Sequence, residues 1–394
     1  MTSRISYMGT KHDLADRVAE VIASCRPGRL LDAFAGMGAV ADAHAGRRQV
    51  WTNDVQHFAY LAGRCRFTDP HGPLPASRMR ELVAPIYQQN MRLLKEQNEK
   101  IWTLAEKLPG AATFEEFEFV FDRVSQENLM HEGAYGCFTA TYANAYFSLP
   151  QCAEIDSVRC AIDTLRGRGV LTQGEFEWAV LTLGQAALRI ANTTGHFAQF
   201  LTPSASNFKR VSKQFGRSAF DQWLVSLDTL KPSGTTEWRS SNLATRSDCD
   251  ALLKRLHSSS DVGVVYCDPP YTDDQYSRYY HVWETLVLND YPPVTGAGLY
   301  RPDRFTTPFS LRSKVTGAFK ALVEEVASTG ADLVLSYPSN GLLHDVGGNP
   351  LEILQNAYPN AELIAQIEHS HSTMGASKGS ATASVSECIY LGRA

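Results

Sequence analysis

Residues 29–54 restrict what this chain can fold into more than any other stretch. Arg29-Leu30-Leu31-Asp32 reads as a short buried strand. Ala33-Phe34-Ala35-Gly36-Met37-Gly38 follows as a turn, and small residues from Ala39 to Ala45 suit a helix. After Gly46, Gln49-Val50-Trp51-Thr52-Asn53 reads as a second strand that ends at Asp54. Strand, glycine turn, helix, strand and acid form the first half of a nucleotide-type binding unit on a parallel sheet. The glycines allow the tight turn and let a ligand come close to the backbone. Ahead of it, Tyr7-Met8-Gly9-Thr10-Lys11 leads into a helix with Thr10 at its N-cap and Leu14, Val18, Val21 and Ile22 on one face.

The turn lacks the third glycine of the dinucleotide fingerprint; Ala41 stands where it would fall. A dinucleotide needs its pyrophosphate seated at the helix N-terminus. A ligand with ribose and adenine but no phosphate does not, and S-adenosylmethionine (SAM) is such a ligand. Asp54, 18 positions after Gly36, is placed to accept hydrogen bonds from two ribose hydroxyls.

A second stretch matches the first. Val264-Val265-Tyr266-Cys267 is β-branched and aromatic, and reads as a buried strand. It stops at Asp268-Pro269-Pro270-Tyr271, because proline cannot continue a sheet ladder. Asp268 is therefore held at a strand's carboxyl end, the edge where open α/β sheets bind ligands. Read alone, the segment is also a plain strand-to-loop turn.

The chain has 394 residues, 44% hydrophobic and 20% charged, enough for two or three domains with a real core. Its formal net charge of -5 argues against a wholly basic nucleic-acid coat protein but leaves room for a local basic groove. The eight cysteines form no C-x-x-C pair, so neither a zinc ribbon nor a redox motif is suggested, and their scatter suits a reducing cytosol. No leader-like apolar segment and no run of about 18 apolar residues is present, so the expectation is a cytoplasmic protein with no membrane partner.

Tyr7, Gly9 and Lys11, then Asp32-x-Phe34-x-Gly36-x-Gly38, then Asp54, and last Asp268-Pro269-Pro270-Tyr271, stand in the motif order of the Dam-like (D12, or alpha class) DNA adenine N6-methyltransferases. The chain resembles that family over about residues 1–65 and 240–394. The resemblance implies a Rossmann-like α/β methyltransferase sheet, with 66–239 as an inserted, mainly helical target-recognition subdomain. It implies SAM as methyl donor and no metal. The implied partners are double-stranded DNA and the proteins of a restriction-modification or phage-defence system. Lys11 would meet the SAM carboxylate, with Tyr7 beside it. Asp32, Phe34, Gly36 and Gly38 would line the methionine end, Asp54 the ribose, and Asn242 the adenine edge, where the family often has an acid.

The insertion carries helical signals. Tyr87, Met91, Leu94, Ile101, Ala105 and Leu108 fit one amphipathic helix over 82–108, stopped by Pro109-Gly110. Thr113 with Glu116, and Thr172 with Glu175, read as capping boxes. Tyr135 to Phe147 is dense in aromatics and is either a base-stacking surface or, somewhat favoured, a buried core. Ser204 to Phe220 holds Lys209, Arg210, Lys213 and Arg217 and no acid; Lys209, Lys213 and Arg217 recur at i, i+4, i+8 and would contact DNA phosphates from one helix face, or simply be solvated. Tyr276, Tyr279, Tyr280, His281 and Trp283 wall a flipped base or pack around the site. His369 and His371 lack a third ligand, so no metal is expected.

The chemistry implied is methyl transfer to an exocyclic amine. The adenine N6 lone pair is delocalised into the ring. An acceptor against the N–H bonds favours a tetrahedral nitrogen and frees that pair. The Asp268 carboxylate and Pro269 carbonyl would accept, Pro270 would fix their angle, and Tyr271 would stack on a base flipped from the duplex. The alternatives are an RNA adenine or cytosine-N4 methyltransferase, and a non-catalytic DNA-binding partner on the same scaffold. A nicotinamide dehydrogenase is disfavoured by the phosphate-poor turn.

Overall fold

The computed structural model describes residues 12–125, 128–256, 261–372 and 382–394. One seven-stranded sheet organises the α/β part. Its strands are β1 (Arg29–Asp32), β2 (Val50–Asp54), β3 (Leu243–Arg246), β4 (Val262–Cys267), β5 (Asp332–Pro338), β6 (Glu362–Ser372) and β7 (Thr382–Gly392), in the order β3-β2-β1-β4-β5-β7-β6. β3 through β5 run parallel. β7 is antiparallel to both its neighbours. The Rossmann-like expectation for the sheet holds, and β3, which the sequence reading did not mark as a strand, completes one edge.

Both faces of the sheet are covered, which explains the near-continuous apolar runs of its inner strands. Leu30, Val264, Tyr266, Val334 and Ile389 pack on one face with Val18, Ile22 and Val40. Leu31, Val265, Cys267, Leu333 and Leu335 pack on the other with Phe319, Val323 and Leu342. Each fully buried valine or leucine contributes about 1.5–3 kcal/mol relative to exposure.

The chain divides into two compact units. Among the described residues, one takes those from His12 to Pro70, Ser233–Ser277 and Phe305–Ala394, and holds the whole sheet; the other takes His71–Pro232 and Arg278–Arg304 and is helical. In the helical unit, Leu149–Gly167 and Gln173–Ile190 bury Ile155, Val158, Ile162, Trp178 and Leu181. Thr172 and Glu175 form the expected capping box. At Thr113 the box is displaced: Thr113 accepts from the Glu116 amide, but the Glu116 carboxylate takes the Ala112 amide instead.

The helix expected over 82–108 is two helices, Ala76–Gln97 and Glu99–Ala105. Asn98 breaks it at φ -117°, where its amide binds the Leu94 and Met130 carbonyls and accepts from the Met130 amide. A polar side chain that offers the backbone other partners competes with the helix, and here it wins. After a single turn Pro308–Ser310, a helix runs Val315–Ser328.

Candidate active site

The pleat of three neighbouring strands brings three carboxyls to one edge. Asp32 ends β1 and pairs in register with Thr52 on β2 and Tyr266 on β4. Side chains in register share a face, and so do residues two apart along a strand. Asp54 follows Thr52 by two, and Asp268 follows Tyr266 by two. All three acids therefore sit at the carboxyl ends on the face shared with Leu30 and Val264. Asp32 is 2% exposed. Its burial, and then the charges of Asp268 and Asp54, push its carboxyl up to about 8, against backbone donors at Phe34 and Ala41. Tyr266 lies beside Asp268, Asp32 and the Ser336 hydroxyl, and burial raises its phenol well above the usual range.

Asp54 is tied to the glycine turn it follows. One carboxylate oxygen accepts from the Gly36 amide at 3.0 Å and the other from the Gln56 amide at 2.9 Å. Burial raises this carboxyl too, opposed by those amides. Each oxygen keeps a second lone pair for a further donor such as a ribose hydroxyl. Asn53 beside it is 1% exposed, and its amide binds the Ala33 and Ser247 carbonyls, joining the ends of β1 and β3.

The turn is shaped around Gly38, at φ 73°. A Cβ there would lie 2.2 Å from the Phe67 ring. Phe67 is fully buried and belongs to a five-residue π-helical turn, Arg64–Thr68, a form that often marks functional segments. The same turn delivers Arg66, which is 3% exposed, bonds the Met37 carbonyl at 3.0 Å and pairs with Asp42 at 3.0 Å. Asp42 also takes the Ser233 hydroxyl. Arg66 and Phe67 thus support the turn from below. Nothing in the local sequence announces them, because their partners come from elsewhere in the chain.

Past β4, Asp268 and Pro270 are half-buried and Pro269 is buried. Tyr271 is half-buried and meets Tyr276 edge to face at 6.0 Å. The loop is anchored: the Tyr271 carbonyl accepts from the Leu342 amide at 2.8 Å, Gln275 exchanges two hydrogen bonds with Thr307, and Ser310 bonds the Asp274 carbonyl. Phe34 packs on Phe309 edge to face at 5.6 Å.

Other expected site residues lie elsewhere. Asn242 is 6% exposed; its oxygen accepts from the Val50 amide and its nitrogen donates to the Phe67 carbonyl. Val50 begins β2, so Asn242 sits at the opposite end of the strand from Asp54, with its amide spent on the backbone. Tyr7, Gly9 and Lys11 lie outside the described residues, as do the side chains of His369 and His371. Among the described residues no group of three or more metal-ligating side chains occurs.

The basic helix runs only from Phe208 to Phe215, with Gly216 closing it, so Arg217 does not extend the Lys209–Lys213 face. Arg217 turns back to the Arg189 carbonyl at 2.7 Å and Arg210 to that of Thr193 at 2.7 Å. Lys209 and Lys213 are exposed. In the aromatic stretch, Phe138, Tyr142, Tyr146 and Phe147 are all buried, which is the core reading. Tyr279, Tyr280, His281 and Trp283 are buried as well. No helix among the described residues is long and apolar enough to cross a membrane.

Residues 236–331 match the D12 class N6 adenine-specific DNA methyltransferases. Over 341 residues the chain is 24% identical to the type II methyltransferase M.FokI of Planomicrobium okeanokoites, covering 86% of this chain and 45% of that protein. It is 22% identical to the modification methylase StsI of Streptococcus sanguinis, covering 86% and 44%. It is 23% identical to the type II methyltransferase M.NlaIII of Neisseria lactamica, covering 86% and 85%. The chain thus spans less than half the length of the first two. Over the segment that carries Asp268-Pro269-Pro270-Tyr271, it resembles the D12 class N6 adenine-specific DNA methyltransferases.

Proposed function

We propose that this chain is a site-specific DNA adenine N6-methyltransferase of the restriction-modification kind, with SAM as its methyl donor and double-stranded DNA as its substrate. The observation that carries the reading is the convergence of Asp32, Asp54 and Asp268 on one sheet edge, in a chain whose Asp268 segment matches the adenine-specific family.

The residues fit such a donor. Gly38, in the left-handed region, lets the turn close tightly against Phe67. Asp54 offers lone pairs to ribose hydroxyls, and Asp32 holds a buried oxygen that has no hydrogen-bond partner among the described residues. When bound, SAM supplies an electrophilic methyl group. The chain's own work is to hold the amine. Asp268 and the Pro269 carbonyl accept its N–H bonds, Pro270 fixes their direction and Tyr271 stacks on the extruded base. Lys209 and Lys213 supply backbone contacts to DNA.

Incubation with methyl-labelled SAM and DNA, RNA or free nucleoside tests this. Label is expected on the N6 of adenine in duplex DNA. Label on RNA or on cytosine N4 would replace the substrate, and SAM binding with no label anywhere would favour a DNA-binding module. Asp268→Ala should lower transfer at least ~100-fold, as loss of a positioned proton acceptor does, while SAM still binds.

A further inference from the structure

The three strand-end acids are not equivalent. Both oxygens of Asp54 are engaged by backbone amides. Asp32 is the most deeply placed, on the central strand of the three, and its Oδ1 has no hydrogen-bond partner among the described residues. Among the described residues, the groups that face it are acidic or neutral: Asp268 and Tyr266 from the β4 side, and Asp54 from β2. On the helix that follows the turn, Asp42 is occupied by Arg66 and Ser233, so Arg66 is spent on a different carboxylate. A buried acid with two acids beside it is costly to ionise unless a cation arrives.

We propose that Asp32 is the charge-selecting residue of the donor site: it carries a proton in the free chain and loses it to solvent when a cationic methyl donor seats at the strand edge. The inference rests on the SAM reading above. The exchange is balanced: carboxylic acid plus sulfonium cation gives a carboxylate–sulfonium pair plus one released proton. The demethylated product, a neutral thioether, lacks the charge that draws the proton off. Asp32 thereby favours the donor over the spent product. The upward displacement of its carboxyl by burial and by Asp268 and Asp54 agrees with this geometry.

Titration calorimetry at pH 7 in buffers of different ionisation enthalpy tests the proposal on the whole chain. SAM should release about one proton on binding, and S-adenosylhomocysteine less than half as much. Between pH 6 and 8 the SAM association constant should climb by up to about tenfold per pH unit. Asp32→Asn should abolish most of the release and flatten the climb; the ligand's own amino group titrates alike in both proteins. SAM binding to the wild type without proton release would overturn the proposal, as would equal release by the variant. Failure of SAM to bind at any pH would instead refute the donor reading itself. Should the variant not fold, the comparison of the two ligands on the wild type decides the matter.

Discussion

Replacing Gly38 with alanine separates two costs that the glycine turn imposes. The first is backbone strain. At φ 73° an L-residue sits in the left-handed region, at a cost of about 1–2 kcal/mol. The second is collision. The new methyl would lie 2.2 Å and 2.6 Å from two atoms of the Phe67 ring. Phe67 cannot retreat easily: it is fully buried, Arg66 lies over its ring at 5.1 Å, and Trp238 meets it edge to face at 6.5 Å. Overpacking of this kind costs about 1–3 kcal/mol. Gly46 supplies the control. Its φ is 72°, it is exposed, and no described residue lies within 4 Å of its added Cβ. Gly46→Ala should therefore cost about 1–2 kcal/mol, and Gly38→Ala about 2–5 kcal/mol. Urea unfolding of the pair, followed by fluorescence, gives the difference directly. A SAM titration on the folded variants should show weaker binding for Gly38→Ala alone. Equal destabilisation of the two variants, to within about 0.5 kcal/mol, would refute the argument that Phe67 forms the floor of the turn.

Other expectations are as direct. Lys209→Ala with Lys213→Ala should weaken DNA binding across all sequences and flatten the log affinity against log salt slope by about 2, since each phosphate contact contributes about 0.9; an unchanged slope removes this helix face from the DNA. Arg66→Gln should weaken SAM binding more than Arg66→Lys, because lysine keeps the pair with Asp42 but not the full fork to the Met37 carbonyl; equal loss in both variants would contradict the role of the fork. Asp32 is raised to about 8 in the folded chain, so the native state holds a proton that the unfolded state has lost, and wild-type stability should fall from pH 5 to 8, by up to roughly 1.4 kcal/mol per pH unit. Asp32→Asn should remove its share of that slope and leave that of Asp156, which burial raises to about 7, and melting curves at the two pH values check it. A thiol reagent at pH 8 should label Cys160 before any other described cysteine, since the others are all buried; peptide mapping reads the order.

The strand-end placement of the three acids was legible because local chemistry alone fixes each end: a glycine turn after Asp32, a turn after Asp54, two prolines after Asp268. The covered sheet was legible for a similar reason, as β-branched runs leave few other options. What escaped depends on groups distant in sequence. Arg66 and Phe67 act through a π-helical turn whose partners, Gly38 and Asp42, are far upstream. Periodicity carried the basic face past Gly216, where the helix ends, and gave no sign that Arg210 and Arg217 bond carbonyls. Asn242 shows the limit of motif order. It lies near the expected position in sequence, yet its amide is consumed at the start of β2.

One buried arginine bears on how such chains diversify. Arg239, 5% exposed, donates to the carbonyls of Asp69 and Pro70, where the chain leaves the sheet unit, and of Ser233 and Gly234, where it returns. In the helical unit, a Cβ on Gly72 would lie 3.2 Å from Pro232, so that segment also begins and ends at one place. Its length is therefore decoupled from the sheet: doubling a loop whose ends are already joined adds only about 0.6 kcal/mol of closure entropy. A lineage can lengthen or shorten the 71–232 stretch at this staple and leave the strand ends untouched, while Arg278–Arg304, the helical unit's other segment, joins the sheet unit at separate points.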